Sequence, residues 1–214
     1  MKFLSVFLFA IVLGVAGLSS CAVAQDPNAI KLPAPQTQGG RPLMQVLKER
    51  KSTRDFKPGT LTAQMLSNLL WAAFGINRPD GRRTAPSAMN WQEVSIFVAT
   101  PEGVYVYDAQ ANALDPVLTG DFRAATGTQS FVRDAAVNLV YVSDLSKTGG
   151  SSEDEMYAAA DVGFIAQNVY LFCASEGLGA VVRGSVDKAA LAKILKLRGA
   201  QKIILAQSVG YPKK

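Results

Sequence analysis

The sequence predicts a single α+β domain, and three observations carry that prediction. Strand-like and helical segments alternate only loosely, and two of the strand segments are joined by a short turn instead of a crossover helix. A segment from about Glu153 to about Ser175 is apolar nearly all round, the pattern of a helix buried on every side. Across 214 residues, 49% are hydrophobic and 18% charged, which suffices for one core and argues against disorder.

The elements follow in order. Residues 25–40 are rich in Pro, Gln, Asn and Gly without periodicity and read as a linker or arm. From Arg41 to Arg50, Leu43, Val46 and Leu47 recur at helical spacing, with Pro42 suited to a first turn. Thr62 to Phe74 is an amphipathic helix with Met65, Leu66, Leu69, Leu70 and Ala73 on one face, stopped by Gly75. Asn77 to Asn90 is too irregular for an element. Val94–Thr100 and Val104–Tyr107 read as strands paired through Pro101-Glu102-Gly103, and Val137–Val142 as a covered strand. Lys147–Ser152 breaks the chain before the long helix, which Gly177-Leu178-Gly179 ends. A strand from Ala180 to Val182, a helix from Asp187 to Leu195 and a buried strand from Ile203 to Val209 complete the domain.

The N-terminus reads as an export signal, with Lys2 before an apolar run from Phe3 to Leu18. Two processing routes fit. Ala22-Val23-Ala24 suits ordinary cleavage and makes 1–24 a signal peptide. Leu18-Ser19-Ser20-Cys21 resembles a lipobox, so that 1–20 would be removed and Cys21 lipidated. The expected location is therefore the periplasm, free or as an anchored lipoprotein. Either route leaves Cys173 as a lone buried thiol.

What is missing narrows the chemistry. There is no histidine, so Ser-His-Asp and Cys-His catalysis and every histidine-ligated metal site are excluded. Two cysteines cannot build a multi-cysteine cluster within one chain. The net charge of +5 is mild, and no basic stripe with groove-reading motifs points to nucleic acid. A redox enzyme of this composition must draw its chemistry from an organic cofactor.

Arg50-Lys51-Ser52-Thr53-Arg54 places three cations and two hydroxyls in five residues, ahead of Phe56 and a Pro58-Gly59 turn. That is a compact set of donors for a phosphate, since charge-assisted hydrogen bonds are worth about 1.5–3 kcal/mol each. Basic runs of this kind are more often a solvated helix end complementing the dipole, and the cluster alone does not choose.

The wider pattern resembles the nitroreductase superfamily. Its opening Arg-x-Ser-x-Arg/Lys-x-Phe is matched by Arg50, Ser52, Arg54 and Phe56, and its Pro-Ser-x-x-Asn-x-Gln by Pro86, Ser87, Asn90 and Gln92. Tyr157, Asp161, Gly163, Gln167 and Asn168 match its long helix. Gly177, Leu178, Gly179 and Gly184 match its Gly-Leu-Gly turn and strand end, and Val209-Gly210-Tyr211-Pro212 its closing motif. The hairpin Gly103-Val104-Tyr105-Val106-Tyr107-Asp108 looks more like the branch of azoline dehydrogenases.

The resemblance covers 43–214 and implies a domain over 41–214 with a mixed or antiparallel central sheet, flanked by helices, and the long helix at a dimer interface. It implies FMN as cofactor. Arg50, Lys51, Ser52 and Arg54 would contact its phosphate, ribityl chain and pyrimidine edge. Pro86, Ser87 and Asn90 would come from the other subunit of a homodimer with a shared flavin site. Arg183 and Gly184 would lie beside the ring, with Gly184 N–H toward its N5/O4 edge. Lys213 is the candidate substitute for basic residues that relatives carry after Gly-Tyr-Pro, and Arg183 stands where many have an acid.

Hydride exchange through a flavin needs no protein acid or base, so the resemblance assigns no catalytic side chain. The implied activity is two-electron transfer from a reduced donor to small oxidised acceptors such as nitroaromatics or quinones. Export favours an alternative, a flavin dehydrogenase that oxidises a ring or peptide-derived substrate with oxygen or a membrane carrier as acceptor. A third reading is a flavin-free protein that binds an anionic ligand at Arg50–Arg54.

Overall fold

The computed structural model describes residues 28–213, so both signal-processing routes and Cys21 lie outside the described residues. Eight strands form one sheet: β1 (Ile30–Lys31), β2 (Phe56–Lys57), β3 (Val94–Ala99), β4 (Gly103–Asp108), β5 (Ala113–Thr119), β6 (Val137–Asp144), β7 (Gly179–Arg183) and β8 (Gln201–Pro212). Four helices accompany them: α1 (Leu43–Glu49), α2 (Ala63–Phe74), α3 (Ser152–Glu176) and α4 (Lys188–Ile194).

The sheet order is β1-β5-β4-β3-β6-β8-β2, with β7 also on β8, and its pairings are antiparallel. The α+β expectation holds, hairpin included. Strand β5 was not expected. Pro116 argues against a central strand, and Pro116 does lie beyond the two residues that pair with β1, on the open side of β5.

Each face of the sheet carries a core. On one, α2 and α3 pack Leu69, Leu70, Val162, Ile165 and Val169 against Ile96, Val98, Leu139 and Tyr141. On the other, α4 brings Leu191 and Leu195 onto Phe97, Val140, Val142 and Ile203. The alternation of β3 and β6 between these faces is what a sheet covered on both sides requires.

Local chemistry sets the helix ends. Thr62 Oγ1 accepts from Met65 N–H at the start of α2, and Asp187 accepts from Ala190 N–H at the start of α4. Ser151 and Asp154 form a reciprocal capping box on α3, and Gly177 ends it at φ 72° in the left-handed region that glycine favours. One expectation needs correction. Helix α3 is not buried on every side of the chain: Met156, Tyr157 and Phe164 are exposed on the face away from Val162, Ile165 and Val169.

Candidate functional site

The Arg50–Arg54 cluster begins where α1 stops. Arg50 is the residue that ends the helix, its N–H donating to Val46 O. The chain then runs beside β7: Ser52 bridges Ala180 in parallel register, and Thr53 N–H donates to Ala180 O at 2.9 Å. This close approach depends on Gly179. A Cβ there would fall 2.8 Å from Thr53 Cγ2 and 2.9 Å from Thr53 Cβ, closer than carbon atoms pack.

Tyr170 of α3 is the pedestal of the cluster, and the sequence reading did not single it out. Arg50 Cζ sits 5.1 Å from the centre of its ring, a cation–π contact. Its hydroxyl accepts from Val182 N–H at 2.9 Å and lies 2.8 Å from Ser52 Oγ. A phenol has one proton to give. Its oxygen can accept a second bond besides that from Val182 N–H, so either hydroxyl can donate across the contact between Tyr170 and Ser52.

The C-terminus closes the same site. Strand β2 pairs with the end of β8, and Lys213 N–H donates to Asp55 O at 3.0 Å. Lys213 thereby lines one cavity of about 310 Å³ with Lys51, Thr53, Tyr170 and Gly177. Lys51, Ser52 and Arg54 are exposed, so their donors are open to solvent or ligand. Gly184 is exposed just beyond β7, where an added Cβ would meet Leu205 Cδ2 at 3.9 Å and nothing nearer.

Arg183 corrects the expectation of a guanidinium beside a ring. Its side chain turns inward and is 4% exposed. It donates to Thr126 O, Asn138 Oδ1 and Ser208 Oγ at 2.9–3.2 Å. Burial pulls its pKa down to about 10, which still leaves it a cation at neutral pH. Alternation offered the signal: Arg183 shares a strand face with buried Val181.

Pro86, Ser87 and Asn90 form a second group. Ser87 accepts from Gln92 N–H at 2.9 Å and donates to Glu93 Oε2 at 3.1 Å, so its hydroxyl is used in closing the loop. Pro86 and Asn90 are exposed. Met89, Asn90 and Gln92 have φ of 49°, 57° and 47°, a run of left-handed residues that folds the segment back on itself. Ala88 N–H donates to Asp161 Oδ2 at 2.8 Å, and Trp91 meets Tyr157 edge-on at 6.2 Å.

Beneath this loop Glu93 is fully buried, and its Oε1 has no partner among the described residues. Burial pushes its carboxyl up, Asp161 adds to the rise, and Ser87 and Lys147 oppose it.

Both groups are thus mounted on α3, one at Asp161 and the other at Tyr170. At 1.5 Å per residue they are about 14 Å apart along the helix axis. One chain does not bring them together. Along the same helix Met156, Ala160, Gly163, Phe164 and Gln167 are exposed, mostly three or four residues apart, and Leu43 and Met44 of α1 are exposed too.

Comparison with known proteins places the chain in a family. Residues 47–211 match the model of the nitroreductase family. A relative from Methanocaldococcus jannaschii, assigned as a nitroreductase, is 32% identical over 168 residues, covering 73% of this chain and 85% of its own. A crystal structure from Ralstonia eutropha JMP134, also assigned as a nitroreductase, superposes with a TM-score of 0.83 at 40% identity. The match covers 90% of this chain and 93% of that one. A Desulfovibrio desulfuricans structure described as a nitroreductase in complex with FMN shares the fold. It has 22% identity and a TM-score of 0.61, over 82% of this chain and 89% of that one.

Proposed function

The chain belongs to the nitroreductase family, and from that premise we propose that it is an FMN-dependent oxidoreductase whose homodimer shares two flavin sites. The observation that carries the reading is the Tyr170 pedestal. It orients Arg50 and Ser52 beside a cavity on which Lys51 and Lys213 converge. That donor set fits a phosphate-terminated cofactor, and the uncrowded backbone at Gly184 leaves room for a flat ring.

FMN, when bound, supplies a ring that accepts two electrons as hydride and passes them on. The residues of the chain divide the remaining work. Lys51, Lys213 and Ser52 would hold the phosphate, with the Ser52 hydroxyl positioned by Tyr170. Arg50 and Arg54 reach the ribityl chain and the pyrimidine edge, where a cation favours the reduced ring. Pro86 and Asn90 cover the flavin of the opposite subunit, with Ser87 shaping their loop. The separation of the two groups along α3 supports this division between subunits.

Arg183 leaves the ring edge to backbone groups, because its guanidinium is occupied elsewhere. The acceptors are small oxidised compounds such as nitroaromatics and quinones, reduced at the expense of a soluble donor. The apolar run from Phe3 to Leu18 supports export as the setting.

The test is the visible spectrum of the purified mature chain before and after incubation with FMN. A flavin spectrum bleached by a two-electron reductant and restored by a nitroaromatic is expected. A colourless protein that takes up no FMN would overturn the reading.

A further inference from the structure

Behind the Pro86–Gln92 loop lies a second open cavity of about 480 Å³, lined by Arg78, Arg82, Arg83, Met89, Asn90 and Gln92. Its basic wall is a rigid hairpin. Ile76 bridges Arg83, Asn77 N–H donates to Arg82 O at 3.1 Å, and Gly81 N–H donates to Arg78 O at 3.1 Å. The hairpin is fastened to the end of α2: Trp71 Nε1–H donates to Ile76 O at 3.1 Å, and Arg83 donates to Phe74 O at 3.0 Å.

The three guanidinium groups have different duties. Arg83 is committed, to Phe74 O, to Gln92 Oε1 and over the Phe74 ring. Arg78 is steered by Asn77 Oδ1 and Arg83 O but remains exposed. Arg82 meets Asp80 at 3.2 Å with both side chains half exposed, a surface pair that an incoming anion displaces at little cost. Opposite them Met89, 83% exposed, offers an apolar and polarisable surface beside the Asn90 amide.

We infer that this groove recognises the anionic group of the protein's substrate, an organic molecule with a flat or apolar body and a carboxylate or phosphate at one end. Arg78 and Arg82 take the anion and Met89 the body, while Asn90 marks the side on which the flavin lies. The inference rests on the flavin reading for its place in the reaction, but the recognition of an anion rests on the groove alone. The orientation of Arg78 by Asn77 and Arg83 matters here, because a fork that is already oriented loses little freedom on binding.

The test uses the purified protein with and without FMN and three probes of one shape: 4-nitrobenzoate, 4-nitrophenyl phosphate and the neutral 4-nitrobenzamide. Calorimetric titration is expected to give roughly tenfold tighter binding for an anion than for the amide, with the advantage lost in Arg78→Gln/Arg82→Gln. The carboxylate and phosphate arms tell which anion the groove prefers. In the FMN-loaded, dithionite-reduced protein, the same variant should slow reoxidation by the preferred anion roughly tenfold and leave 4-nitrobenzamide unchanged.

Equal affinity for the anions and the amide would overturn the inference, as would an anion preference that survives the double variant. Arginine-dependent anion binding by a chain that takes up no FMN would overturn the flavin reading and leave the groove standing.

Discussion

Tyr170 Oη lies 2.8 Å from Ser52 Oγ while accepting the Val182 N–H, so a single phenol joins the Arg50–Arg54 segment, the long helix and strand β7. Tyr170→Phe keeps the ring beneath Arg50 and removes only that junction. FMN affinity should fall roughly tenfold, and the Val182 N–H left without its acceptor should destabilise the fold by about 1 kcal/mol. Fluorescence titration with FMN and urea unfolding measure the two effects. An unchanged FMN dissociation constant would remove Tyr170 from the site.

Gly179→Ala drives a methyl group into Thr53. Overpacking of this kind destabilises by about 1–3 kcal/mol and should push the Arg50–Arg54 segment off β7, weakening FMN binding as well. Thr53→Gly in the same chain should restore much of both losses, because it removes the atoms in conflict. A double-mutant cycle with no coupling would contradict the contact.

Glu93 gives a pH dependence. Its raised pKa means that the folded protein holds a proton which the unfolded chain releases at lower pH. Stability from this group is therefore full below the ordinary glutamate range and is lost as the pH rises through the raised value. Glu93→Gln mimics the protonated form, so the variant should gain on the native chain at pH 7 and match it near pH ~4. Urea midpoints at the two pH values measure this, and a gap of the same size at both would contradict it.

Phe164→Arg places a charge in the middle of the exposed stripe on α3. If that stripe meets a second copy, sedimentation should show a monomer. FMN uptake should fall with it, since the two halves of the site lie apart in one chain. A dimer that survives would move the interface elsewhere.

The sequence revealed the parts of this molecule whose signals are local. Thr62 and Gly75 bracket α2, and Val94–Ala99 with Gly103–Asp108 announced a hairpin through alternation and a short turn. The cations of residues 50–54 were visible as a run. Strands β1 and β2, two residues each, exist only through their partners, so no periodicity could disclose them. Tyr170 was hidden for a related reason. Within an apolar helix a tyrosine reads as packing, and its role comes from Ser52 and Val182, both distant in sequence. Arg183 misled because a cation at a strand end is usually solvated, whereas this one faces Asn138 and Ser208 on neighbouring strands.

Strand β8 bears on how the molecule comes into being. It lies between β6 and β7 and also pairs with β2, yet it is the last of the described strands to leave the ribosome. Until it arrives, β6 has one open edge and β7 has no neighbour in the sheet. The growing chain must therefore carry the β6 edge unpaired from Asp144, and β7 from Arg183, until Gln201 and the residues after it are made. Completion is a late event that closes the sheet and sets Lys213 beside Asp55 in one act. A chain halted before Gln201 would have the long helix and most of the strands, but neither a finished sheet nor an intact binding site.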